Sequence, residues 1–159
     1  MQAQTLEKYL HDRAKPAPDV AAIRIKWQQR LDLYLTDVHV LFGQIREWLK
    51  PLETEGLVKI EEKQTSITEE NLETYSVPEL KIFLSDQLVA IKPRGTNIFG
   101  AFGRIDALGT NGSLTIVLIN WGHWQFVRKE YAGQGSSNPF YTDVSEEEFK
   151  KALYMLIAE

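Results

Sequence analysis

A chain of 159 residues, 43% hydrophobic and 25% charged, is long enough to bury one sizeable core and too apolar to stay wholly disordered. Its net charge of −4 lacks the basic excess that marks a nucleic-acid binder. With no cysteine it can form no disulfide, no thiolate zinc site and no cysteine nucleophile.

The opening stretch, MQAQTLEKYLHDRAK, mixes charge with single apolar residues and has no apolar h-region, so it does not read as a signal peptide. No apolar run approaches the roughly 18 residues that span a bilayer. A cytoplasmic protein without a membrane partner is expected. Leu6, Tyr9 and Leu10 share one side of a short helix over 5–14. Lys15-Pro16-Ala17-Pro18 then breaks it, because proline disfavours helix at the residue before it. Residues 1–18 read as an arm and 19–159 as a single domain.

Asp19 suits an N-cap, and a long helix is predicted over 20–50, stopped by Pro51. Trp27, Leu31, Tyr34, Val38, Leu41, Ile45 and Trp48 step by four and three, a heptad seam. Leu35, Phe42 and Leu49 widen that seam into a stripe suited to lying on a sheet. Such a helix is roughly 45 Å long, more than a small sheet covers. Homodimerisation through Trp27, Leu31 and Tyr34 is therefore a second use the helix predicts.

Residues 53–79 hold eight glutamates against Lys59 and Lys63, a local charge of −8 + 2 = −6. Strands are predicted at 57–60 and 72–77, joined through Thr68-Glu69-Glu70-Asn71, with Pro78 marking a sheet edge or bulge. Two further strands follow at 80–84 and 88–92, where Leu80, Ile82 and Leu84 alternate with Lys81 and Phe83.

The stretch 98–127 carries the strongest local signal, Asn111-Gly112 between two β-prone segments. A two-residue turn there pairs Ile105 with Leu118 and Ala107 with Ile116 on an apolar face. The other face then sets Phe102, Arg104 and Asp106 opposite Trp121, Ile119 and Val117, with His123 alongside. A competing reading makes 120–123 itself a turn, with another strand starting at Trp124. Gly100 and Gly103 signal a bulge or a close helix approach. The run LTIVLI at 114–119 is apolar on both faces, as in a strand covered on both sides, one cover being the long helix. Residues 132–139 read as a flexible loop by composition. Ser145 and Glu148 then form a capping box for a short helix with Phe149, Leu153, Leu156 and Ile157 inward. The architecture is α+β: an antiparallel meander sheet of about six strands, packed by a long N-terminal helix and a short C-terminal one.

Chemistry-bearing motifs are sparse. There is no GxxxxGK[ST], no strand-to-helix GxGxxG and no GxSxG. The GxxG of residues 100–103 lies in an apolar strand, not between helices with basic flanks. His11, His39 and His123 are far apart and no HExxH or DxDxDG loop exists, so neither metal nor cofactor is expected. Phe102, Arg104, Asp106, Trp121 and His123 share a face that could bind a small ligand or house an unrecognised active site. The plainer alternative is an Arg104–Asp106 pair neutralising itself beneath the long helix. Glu61, Glu62, Glu69, Glu70 and Glu73 make either a solvated edge or a surface for a basic partner. The functional expectation is a non-catalytic interaction protein of inhibitor, immunity or chaperone type that meets a basic protein through this acidic hairpin, with no nucleic-acid partner.

Overall fold

A computed structural model describes residues 5–8, 20–70, 72–96, 101–132 and 136–158. The proposed cap at Asp19 and most of the 1–18 arm lie outside them, as do Gly100 and His11.

Helix α1 (Val20–Thr54) lays its widened seam on a sheet: Tyr34, Val38, Ile45 and Leu49 are fully buried and Leu31, Leu41 and Phe42 nearly so. Its end differs from the expected stop at Pro51. Proline removes one helical hydrogen bond, yet Leu49 and Leu52 on either side pack on the core and hold the last turn in place. Termination comes instead at Gly56, whose φ of 77° only glycine adopts readily. The Gly56 amide donates to the Glu53 carbonyl at 3.0 Å and the Leu57 amide to the Leu52 carbonyl at 2.9 Å. This is the Schellman pattern, which satisfies two orphan carbonyls.

Seven strands follow in strictly consecutive antiparallel order: β1 (Val58–Ile67), β2 (Tyr75–Leu84), β3 (Gln87–Gly95), β4 (Arg104–Gly109), β5 (Gly112–Asn120), β6 (His123–Ala132) and β7 (Ser136–Asp143). Helix α2 (Glu146–Ile157) closes the chain, with the Ser145 hydroxyl accepting from the Glu148 amide. The fold is the expected α+β meander with one strand more than expected. The segments 72–77 and 80–84 are one strand running through Pro78. That proline lies beyond the last β2–β3 pair, Leu80 with Ile91, so one neighbouring ladder alone is there to lose a donor. The loop expected over 132–139 is corrected in part: Ala132 pairs with Ser136 and Lys129 with Pro139 at the start of β7, while 133–135 lie outside the described residues. An edge strand tolerates proline, and pairing overrides a weak compositional cue.

The central hairpin is also re-registered. Its turn is Thr110-Asn111, closed by Gly109 opposite Gly112, which pairs Ile105 with Ile116 and Arg104 with Val117. Asn111 is drawn into the turn by α2: its amide donates to the Leu156 carbonyl at 2.8 Å and its side chain to the carbonyls of Met155 and Ala158. The two-residue shift changes partners but not faces, since side chains alternate with period two. At its far end β5 stops at Asn120, and Trp121-Gly122 turns the chain into β6, the competing reading of 120–123.

Both helices lie on one face of the sheet. A Cβ on Gly103 would sit 2.8 Å from the Tyr34 ring, and one on Gly109 would sit 2.5 Å from the Leu156 carbonyl oxygen. Those glycines alternate along β4 with Arg104, Asp106 and Leu108, so the second face of β4 and β5 points away from both helices. The expected placement of Arg104 and Asp106 beneath the long helix is thereby reversed.

Candidate functional site

On that second face Asp106 is 9% exposed and holds two guanidinium groups. Arg104 donates from Nε to Oδ1 at 2.8 Å and from Nη2 to Oδ2 at 3.3 Å. Arg94 donates from Nε to Oδ2 at 2.9 Å. The sheet register explains the convergence. Lys92 is the direct partner of Asp106, and a β-bulge between Pro93 and Gly95 swings Arg94 toward the same carboxylate. The two arginine side chains remain 46% and 44% exposed. Lys92 and Thr115, which flank Asp106 on the neighbouring strands, are half-buried. Arg94 lies beyond the strand expected over 88–92, so its spacing to Lys92 carries no face there; the two-residue spacing of Lys92, Arg94 and of Arg104, Asp106 is the signal in the sequence that matches the observed cluster.

The remaining three residues of the expected ligand face belong to other contacts. Phe102 stacks on Trp121 with ring centroids 4.5 Å apart. The Arg30 guanidinium lies over both Phe102 and Trp27, at 5.6 and 5.4 Å. Its Nη2 donates to the carbonyls of Thr96 and Ala101. Asp37 of α1 fastens the Trp121-Gly122 turn, accepting from the Gly122 amide at 2.8 Å and from the Trp124 indole at 3.3 Å. His123 contacts Asp143 at 2.8 Å, and Gln125 donates to the same carboxylate oxygen at 2.7 Å. These bonds, Gln125's first and His123's second, hold the exposed Asp143 carboxyl below its ordinary range. Five residues expected to form one site thus form three separate sets of contacts.

Of the three residues expected at a dimer contact, Leu31 and Tyr34 are 4% and 0% exposed within the single chain, so this chain's own packing already covers their surface. Trp27 is half-buried with its ring against Arg30.

The acidic residues divide as well. Glu61 and Glu62 lie on β1, an outermost strand, in exposed pairs with Lys59 and Arg46. Glu70 and Glu73 are exposed in the β1–β2 loop. Glu69 points inward, contrary to its expected role as a partner contact. Its Oε1 accepts from the Thr96 amide at 2.8 Å and the Thr96 hydroxyl at 3.1 Å, while Oε2 accepts from the Tyr75 hydroxyl. The Tyr34 hydroxyl bonds nearby, donating to the Arg104 carbonyl at 2.8 Å and accepting from the Gly95 amide at 3.2 Å. Burial, reinforced by the Glu69 carboxylate, pushes both phenols above the ordinary tyrosine range.

Among the described residues no three His, Asp or Glu side chains group to hold a metal ion, and no helix is long and apolar enough to cross a membrane. No family model, curated protein or solved structure matches the chain.

Proposed function

We propose that this is a non-catalytic interaction protein that engages a basic protein partner through β1 and the β1–β2 loop. One observation carries the reading: Glu69 ties the loop to the end of β3 while Glu70 and Glu73, which follow it in the loop, stay exposed. A loop held in one geometry meets a partner without first losing conformational entropy. Glu61 and Glu62 extend the same acidic edge. Their exposed ion pairs contribute little to stability, so they exchange partners at small cost. Complementary charge of this kind acts chiefly on encounter rate and on partner discrimination. The test is affinity capture from a lysate of the source cells, comparing wild type with the variant Glu61→Lys, Glu62→Lys, Glu70→Lys and Glu73→Lys. Glu69 is left intact because it holds the loop. The variant should fold and lose a basic protein that wild type retains; equal capture by both proteins refutes the proposal.

A further inference from the structure

The Lys92, Arg94, Asp106 and Arg104 cluster has a chemistry of its own, independent of the acidic edge. We propose that it is a binding site for a phosphomonoester dianion. Three cations and one carboxylate leave the cluster at +3 − 1 = +2, within a chain whose net charge is −4. A phosphoryl group carries about −1.5 to −2 at neutral pH and compensates that charge; a single carboxylate leaves half of it.

Geometry adds what charge alone does not. Asp106, nearly buried, holds Arg94 by Nε and Arg104 by Nε and one Nη. Each guanidinium is planar, so fixing Nε also fixes the direction of the remaining N–H donors. Among the described residues neither Nη of Arg94 bonds to protein, and Nη1 of Arg104 is likewise without a protein acceptor. Both side chains are nearly half exposed, so those donors are open to a ligand. The Lys92 ammonium and the Thr115 hydroxyl, on the strands either side of Asp106, supply further donors on the same face. Two oriented forks and an ammonium match a group with three acceptor oxygens.

Titration calorimetry of the full chain at constant ionic strength tests the site, with inorganic phosphate as probe and acetate as comparison. Phosphate should saturate one site and bind about tenfold or more tightly than acetate. Arg94→Lys keeps the charge and removes the fork, and should weaken phosphate binding about tenfold. Lys92→Met should do so independently while Glu70→Lys does not. Phenyl phosphate and a phosphoserine peptide distinguish the source: tighter binding of the peptide assigns the site to a modified protein, the reverse to a small monoester. Equal affinity for acetate and phosphate, or wild-type affinity in both Arg94→Lys and Lys92→Met, overturns the proposal.

Discussion

Replacing Glu69 by alanine removes the acceptor at the centre of the loop attachment. Thr96 is fully buried, and its amide loses a 2.8 Å bond to Oε1. A buried donor left without a partner costs about 1–3 kcal/mol. The Thr96 and Tyr75 hydroxyls lose a charged acceptor too, but a hydroxyl can rotate toward water that enters beside the half-buried Glu69, so they add less. The expected total is about 2–4 kcal/mol. At about 2–4 °C per kcal/mol for a domain this size, melting should fall by about 5–15 °C. Urea denaturation gives the free energy, and hydrogen exchange at the Thr96 amide localises it. Glu69→Gln keeps an oxygen for that amide and should lose roughly half as much. A Glu69→Ala protein within about 0.5 kcal/mol of wild type, with Thr96 still protected, would refute the attachment.

Gly109→Ala places a Cβ against the Leu156 backbone, so α2 must shift; calorimetry should show about 1–3 kcal/mol of destabilisation, the usual range for overpacking. Ser145→Ala deletes the N-cap acceptor of α2 and should cost about 1 kcal/mol by urea denaturation. The Asp143 carboxyl, followed by NMR, should titrate below the ordinary range near 3.9. Gln125→Ala should bring it back further than His123→Ala. Its folded-state value is depressed, so any stability it lends is present above the unfolded value and lost as pH falls through the folded one. Tyr34 and Tyr75 have raised values, so their linkage runs oppositely. Their stabilisation is intact below about pH 10 and fails as alkali drives ionisation, which a spectroscopic titration beside an unfolding curve will show.

Periodicity within elements was readable in the chain, while contacts between elements decided what it misstated. The α1 seam and the alternation in β4 and β5 follow from residue spacing, and their faces survive a two-residue change of register. That change arose because Asn111 bonds the end of α2, a partner 45 residues away in sequence that local turn chemistry does not report. The chemistry of Pro51 alone predicts a stop, yet packing of Leu52 carries the helix past it; Pro78 marks a one-sided ladder, as an edge proline should, but the strand runs through it. The candidate ligand face was legible as Arg104 with Asp106 but not as a triad, because Arg94 joins through a bulge. Glu69 is indistinguishable from Glu70 in the chain; the meeting of the β1–β2 loop with the end of β3 separates a structural carboxylate from an exposed one.

The acidic edge is tested most directly by hydrogen exchange on the wild-type protein with and without the basic partner it captures. Protection gained across 58–74, and weakened by added salt as exposed charge pairing requires, is the predicted result. Protection confined to β4–β6, with 58–74 exchanging as in the free protein, would contradict it.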